Sequence, residues 1–345
     1  MSGNFIGLLM FAALMGFLVY RVHIGIAMFI VGAGGYLAMY EGNWSPLINS
    51  LKNLAFARFS NYDLAVIPLF ILMGQFATNG GLSRALFQCV NNFVGHWRGG
   101  VAMAAVGACG AFGAICRSSL ATAATMGQVA LPELKRFRYS GALSTGALAA
   151  GGTLGILIPP SVPLVIYAVL TQESMGKLFM AAVVPGVIAL IGYMLVIRIV
   201  VTLNPEAGPA GPKVALDERL RSLVNVAPVI FVFLVVIVGI YAGWANPTEA
   251  ASIGVGACGI LAILNGMRKD GVVRSLLGTA EATAMIFLVL LGADMLNAGL
   301  ALSQLPAELA NWVKNSDLPP LTVIFAILVI YIFLGCVMDS LAMIL

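Results

Sequence analysis

Gly151-Gly152-Thr153-Leu154-Gly155-Ile156-Leu157-Ile158-Pro159-Pro160-Ser161 sits inside a hydrophobic run that would otherwise read as one membrane helix. Two adjacent prolines remove two backbone donors, and the glycines before them lower helix propensity further. A helix broken this way leaves backbone polar groups without partners. Hydrocarbon tolerates that only where the break is buried in protein or lines a watery cavity. Broken helices near the midplane are where secondary transporters build ion and substrate sites. The stretch therefore predicts a broken helix over about 140–171 inside a polytopic membrane fold.

Composition agrees. Of 345 residues, 61% are hydrophobic and only 9% charged, against about 25% charged in soluble domains. The net charge of +4 lies in short loops. No basic stripe with interleaved aromatics is present, so no nucleic-acid partner is expected. Cysteines 89, 109, 116, 258 and 336 form no CxxC pair, so neither disulfides nor zinc are expected. The two histidines, His23 and His96, flank spans and cannot assemble a metal cluster. The N-terminus lacks a basic n-region and a small-residue cleavage site, so 4–20 reads as the first span rather than a removed signal.

A span needs about 20 apolar residues. Candidates are 4–20, 24–40, 63–79, 100–132, 140–171, 178–201, 225–243, 248–266, 282–304 and 319–345. Segments 46–60 and 82–98 read as amphipathic arms lying flat at the surface. The Pro/Gly-dense stretch 202–223 reads as a cytoplasmic linker. The expected organisation is scaffold helices with an arm over 1–62 and a first transport repeat over 63–175. Further scaffold helices with the linker follow over 176–266, and the start of a second repeat over 267–345.

Segment 100–132 is too long for one span and has a polar middle, Cys116-Arg117-Ser118-Ser119. Arg84 and Arg98 precede it; Lys135, Arg136 and Arg138 follow it. Basic residues collect on the cytoplasmic side, so both ends lie there and the segment must enter and return, as a re-entrant hairpin over about 100–135. With the N-terminus outside, roughly 13 of the 18 basic residues then fall inside.

A repeat emerges from this drawing. Phe70-Ile71-Leu72-Met73-Gly74 with Asn79-Gly80-Gly81-Leu82-Ser83 is matched by Phe287-Leu288-Val289-Leu290-Leu291-Gly292 with Asn297-Ala298-Gly299-Leu300. Further on, Phe112-Gly113-Ala114-Ile115 with Ser118 is matched by Leu334-Gly335-Cys336-Val337 with Ser340. The two copies run in opposite senses, an inverted repeat of the kind that marks alternating-access carriers. No counterpart of the Pro-Pro break follows Asp339. The natural protein is therefore expected to continue for roughly another 80–90 residues.

Five stretches in order carry a family resemblance: Ile67-Pro68-Leu69-Phe70-Ile71-Leu72-Met73-Gly74; Phe112 through Ser118-Ser119-Leu120-Ala121-Thr122-Ala123-Ala124-Thr125 to Pro132; Gly151 to Ser161; Asn246-Pro247-Thr248-Glu249-Ala250-Ala251; and Gly335-Cys336-Val337-Met338-Asp339. Through nearly its whole length the chain resembles the large membrane subunit, DctM-like, of tripartite ATP-independent periplasmic (TRAP) transporters. The resemblance implies an inverted-repeat, elevator-type fold with re-entrant hairpins, and sodium as the coupling ion. It also implies two partners, a small four-helix membrane subunit and a periplasmic substrate-binding protein. Import of an organic anion across the bacterial inner membrane would follow: a C4-dicarboxylate, a sugar acid, a sialic acid or another carboxylate.

Ser118, Ser119, Thr122 and Thr125 make a hydroxyl-rich stretch at the expected hairpin tip. Hydroxyls and freed carbonyls are oxygen ligands suited to sodium, and half-helix N-termini favour an anionic substrate group. Small Ser/Thr/Ala residues also serve simple helix packing. In the family one sodium site joins the first hairpin tip to the broken helix. The matching positions are Ser118, Gly155, Ile158 and Pro160, acting mostly through carbonyls, with Thr153 and Ser161 as neighbouring hydroxyls; Ser119, Thr122, Thr125, Thr153 and Ser161, with Arg117, are the expected substrate contacts. Asp339 matches the second hairpin and a second sodium; an acid inside an apolar run is functional by default. Arg117 departs from the small residue usual in the family. It reads either as a bidentate carboxylate clamp or as a cation snorkelling into the cytoplasmic cavity.

Asp294, a second intramembrane acid, reads as a polar helix contact facing the scaffold or the partner subunit. Asn246 or Thr248 with Glu249 reads as a helix start, a structural feature. Trp44, Trp97, Trp244 and Trp312 fall near span ends, where an interfacial belt sits.

Two other readings stand beside the TRAP carrier: a sodium-coupled elevator of another family working without a binding protein, and an intramembrane aspartyl protease using Asp294 and Asp339. The GxxxxGK[ST] phosphate loop is absent from the chain.

Overall fold

A computed structural model of the chain describes residues 3–116, 118–316, 319–335 and 340–344. In order the helices are α1 (Gly3–Val19), α2 (Ile24–Met39), α3 (Trp44–Phe59), α4 (Val66–Asn79), α5 (Leu82–Val94), α6 (Gly100–Cys116), α7 (Ser119–Arg136) and α8 (Gly141–Leu157). They continue with α9 (Val162–Thr171), α10 (Met175–Leu203), α11 (Leu216–Tyr241), α12 (Pro247–Leu264), α13 (Lys269–Ser303), α14 (Leu305–Asn315), α15 (Pro320–Gly335) and α16 (Ser340–Ile344). No strand occurs among the described residues.

The chain is an all-α polytopic membrane protein. Gly141–Thr171, Met175–Leu203, Leu216–Tyr241, Pro247–Leu264 and Lys269–Ser303 are each long and apolar enough to cross a bilayer. Large apolar side chains stand exposed along them, such as Val184, Ile188, Ile191, Leu195 and Ile199 on α10. In water such a surface would aggregate; against lipid it is the expected face.

Local chemistry sets several boundaries. Asn246 accepts the Glu249 N–H at 2.8 Å, and Glu249 accepts the Asn246 N–H at 2.9 Å. That capping box starts α12, as its sequence indicated. Ser118 caps α7 by accepting the Ala121 N–H, and Ser140 caps α8 by accepting the Leu143 N–H. Trp44, Trp97, Trp244 and Trp312 are all exposed.

Several expectations need correction. The glycines at 151, 152 and 155 do not belong to the break: α8 runs regularly through them to Leu157, and only 158–161 is non-helical. The span expected over 282–304 is not confined to those residues, because α13 starts at Lys269 and is one 35-residue helix. The stretch 202–223 is not a free linker. α10 extends to Leu203, α11 begins at Leu216, and the segment between is hydrogen-bonded to the rest of its unit.

The chain packs as two compact units, Met1–Tyr62 with Ala282–Leu345, and Asp63–Glu281. In the first, Ile6, Met10 and Leu14 of α1 and Ala27, Met28 and Val31 of α2 close a core with Val289, Ala293 and Leu296 of α13. Glycine permits the close approach: a Cβ on Gly25 would meet the Leu288 carbonyl at 3.0 Å.

In the second unit α6 is the most enclosed helix, buried on nearly every face. It packs on α5, α7 and α8, and α7 packs back on α8. The base of the α6–α7 pair is closed by Tyr139, whose hydroxyl accepts the Val101 N–H at 3.2 Å. The chain therefore leaves along α6 and returns along α7 to the end where it began, as the hairpin reading expected.

The order of elements recurs. α4 leads through left-handed Gly81 into α5 and then α6; α13 leads through left-handed Gln304 into α14 and then α15. The register differs from the one in the letters: Gly299, the letter counterpart of Gly81, lies inside α13, and the turn comes five residues later at Gln304.

Candidate functional site

The break follows from proline chemistry. Pro159 and Pro160 have no N–H, so the carbonyls of Gly155 and Ile156 cannot receive their i+4 amide bonds. Ser161 compensates one of them: its buried hydroxyl donates to the Ile156 carbonyl at 2.5 Å. The Gly155 carbonyl has no such bond within the helix.

The glycine face of α8 meets the hairpin at this place. A Cβ on Gly155 would stand 3.0 Å from Thr122 Oγ1, 3.3 Å from Gly113 Cα and 3.4 Å from the Ser118 carbonyl oxygen. One on Gly152 would stand 3.0 Å from the Ser119 carbonyl oxygen, and one on Gly113 only 2.5 Å from Gly155 Cα. Three chain segments thus converge on one backbone position. From α4, Gly74 closes the same region: a Cβ there would lie 2.9 Å from the Ile115 carbonyl oxygen.

Thr122 is fully buried, and among the described residues its hydroxyl has no hydrogen-bond partner. An unsatisfied buried hydroxyl is costly. The Thr122 hydroxyl stands with the Ser118 carbonyl against the Gly155 backbone, at the tip of the hairpin beside the break.

The other expected residues are distributed around this spot. Ile158 turns its side chain elsewhere: its Cδ1 lies 3.4 Å from a Cβ built on Gly110 of α6, and its Cγ1 3.2 Å from one built on Gly186 of α10. Pro160 is buried and joined to Pro159 by a cis peptide. Ser119 and Thr125 are half-buried on α7. Thr153 is exposed, 3.0 Å from the Tyr193 hydroxyl of α10, and so does not join Thr122. Arg117 and Asp339 lie outside the described residues. So does most of the Gly335–Asp339 stretch.

Asp294 has a partner that sequence reading did not find. Arg58, at the end of α3, pairs with it in bidentate fashion, Nε to Oδ2 and Nη2 to Oδ1, the latter at 2.5 Å. The two side chains are only 18% and 10% exposed. Their separation of 236 residues left no local signal. A carboxylate held by a guanidinium is not the shared-proton member of an aspartyl dyad. Gly113 and Gly74 were quoted as motif letters, but their reason, backbone approach to Gly155 and Ile115, appears only in three dimensions.

A larger cavity of about 430 Å³ lies between α5 and the C-terminal end of α7, lined by Arg84, Asn91, Gln128, Glu133 and neighbours. None of the expected site residues lines it.

Against known proteins, residues 11–345 match the family described as "Tripartite ATP-independent periplasmic transporter, DctM component". The chain is 36% identical over 302 residues to the C4-dicarboxylate TRAP transporter large permease protein DctM of Pseudomonas aeruginosa, covering 86% of this chain and 70% of that protein. It is 32% identical over 292 residues to the corresponding protein of Rhodobacter capsulatus, covering 79% and 65%. It is 29% identical over 300 residues to the sialic acid TRAP transporter large permease protein SiaM of Vibrio cholerae, covering 86% and 70%. The chain spans about two thirds of the length of these curated relatives.

Proposed function

The chain belongs to the DctM component family of tripartite ATP-independent periplasmic transporters, and from that premise we propose that it is the large subunit of a sodium-coupled importer of an organic anion. Its relatives are named as transporter permeases rather than enzymes, and its setting is the bacterial inner membrane. The proposed cycle is an elevator movement. A periplasmic binding protein delivers the substrate, and a small four-helix subunit completes the membrane complex.

The observation that supports this reading is the meeting of the Thr122 hydroxyl and the Ser118 carbonyl at the Gly155 backbone, next to the proline break. Sodium is a hard cation that prefers oxygen ligands, and broken-helix carbonyls with a nearby hydroxyl are the kind of set it takes. In this proposal Ser118, Gly155, Ile158 and Pro160 supply carbonyls at the first site and Thr122 adds its hydroxyl. Asp339 contributes to a second site. Ser119, Thr125 and Arg117 stand on the substrate side, where an α7 N-terminus favours a carboxylate. Two of the relatives above are named for C4-dicarboxylates and one for sialic acid, so the substrate class proposed is a carboxylate, with C4-dicarboxylates first.

Sodium entry is an adequate driving force, since each charge moved down 100 mV supplies about 2.3 kcal/mol. The test is uptake by the full-length protein in proteoliposomes with its small subunit. Uptake should require both a sodium gradient and the cognate binding protein. Uptake that persists without sodium would sink the coupling proposal. Uptake that persists without the binding protein would favour the binding-protein-independent carrier.

A further inference from the structure

The cavity of about 430 Å³ between α5 and α7 has a lining whose polar groups the rest of the fold leaves unused. Gln88, Asn91 and Asn92 of α5 and Gln128 of α7 belong to it. Among the described residues none of these four carboxamides makes a side-chain hydrogen bond. Arg84 lines the same space and, among the described residues, makes neither an ion pair nor a hydrogen bond through its guanidinium. The acid in the lining, Glu133, is already paired with Arg136 at 3.5 Å.

Arg84 is also badly placed for its own helix. It stands in the first turn of α5, which has no acidic residue and no side-chain cap, and the positive end of a helix dipole disfavours a cation. Two positive potentials therefore add at this end of the cavity. α5 and α7 both end at the hairpin base, so Glu133, in the last turn of α7, stands at the opposite end. A guanidinium offers an oxyanion a planar fork of donors. Each carboxamide offers two donors and an acceptor, which suit hydroxyl groups. The volume is that of a small-molecule site. We propose that this cavity is a second ligand site, for a small oxyanion that carries hydroxyl groups, with Arg84 as the anion contact and the carboxamides as hydroxyl contacts. It is separate from the hairpin tip, since Gln128 and Glu133 lie about 9–17 Å beyond Thr122 along α7. It does not depend on the transport reading. Two sources have this chemistry, a free hydroxy acid and the phosphoglycerol headgroup of an anionic lipid.

The test uses the full-length protein in phosphatidylcholine nanodiscs without sodium. Val129→Cys places a thiol in the lining, and its alkylation by a maleimide is followed by peptide mass spectrometry. For a free hydroxy acid, D-gluconate at ten times its half-effective concentration slows alkylation about tenfold. Sorbitol, the same carbon chain with a hydroxyl in place of the carboxylate, does not. For a lipid headgroup, exchanging phosphatidylcholine for phosphatidylglycerol slows alkylation and gluconate does not. In either case Arg84→Gln removes the protection and Arg84→Lys keeps part of it; Arg84 is exposed, so neither substitution disturbs packing. Alkylation indifferent to both gluconate and phosphatidylglycerol overturns the proposal. So does protection that survives in Arg84→Gln or that sorbitol gives equally. The readout needs neither sodium nor transport, so a failure of sodium-driven uptake would count against the transport reading and not against this site.

Discussion

Thr122 of the hairpin and Gly155 of the broken helix approach so closely that a Cβ on Gly155 would stand 3.0 Å from the threonine hydroxyl. The glycine is there because the hairpin needs the space of a side chain, and the hydroxyl is there with no partner among the described residues. Placing alanine at this contact forces a shift of a few tenths of an ångström, whereas alanine at Gly113 meets Gly155 backbone at 2.5 Å, which cannot yield. Gly113→Ala is therefore expected to cost more than Gly155→Ala, the latter falling in the range of about 1–3 kcal/mol typical of overpacking. Thermal unfolding in detergent ranks the two. A Gly113→Ala variant as stable as wild type would mean that the helices separate more easily than this contact allows.

Thr122→Val keeps the shape and removes the hydroxyl. If that hydroxyl were only an unsatisfied buried group, its removal would be neutral or stabilising and nothing else would change. As an ion ligand, its loss should weaken sodium activation of uptake by about tenfold, roughly 1.4 kcal/mol, with thermal stability in the absence of sodium unchanged or raised. Thr122→Ser should retain most of the activation. Unaltered sodium dependence in Thr122→Val would remove the residue from the site.

Arg58 and Asp294 are mostly buried and mutually neutralised. Asp294→Asn leaves the guanidinium facing a neutral amide and is expected to destabilise the unit by about 2–4 kcal/mol, the range for breaking a buried pair discounted for partial exposure. Replacing both, as Arg58→Met with Asp294→Leu, should recover much of that loss because no charge is left uncompensated. Melting temperatures of the three variants form the double-mutant cycle. Additive losses would show that the two residues do not depend on each other.

Ser161 donates its hydroxyl to the Ile156 carbonyl, supplying the bond that Pro160 cannot make. Ser161→Ala should cost about 1–2 kcal/mol of stability, measured by thermal unfolding. Substrate KM separates this from a contact to the transported anion: a several-fold rise in KM at unchanged stability would assign the hydroxyl to the substrate instead.

Much of the architecture was legible in the letters because its causes are local. Hydropathy marks spans, and the Asn246–Glu249 box marks a helix start within four residues. The hairpin was readable from charge at its two ends, and Tyr139 bridging to Val101 shows those ends together. The glycines of 151–155 misled, since a low helix propensity in isolation says nothing about a neighbouring helix that needs the room. The 202–223 stretch misled for the same reason: composition describes what a segment would do alone in water, and here distant backbone groups hold it.

The sequence by itself determined that the chain is a helical membrane protein, that Pro159 and Pro160 interrupt one helix, and that a hydroxyl-rich hairpin precedes it. Each of these depends on the chemistry of residues within a few positions of one another. Only the tertiary structure decided that Thr122 faces Gly155, that Arg58 holds Asp294, and that 204–211 closes the hairpin base. Those relations join residues from 33 to 236 positions apart, and no local propensity encodes them. They arise because buried polar groups must find partners and helices must find space wherever the fold brings them together.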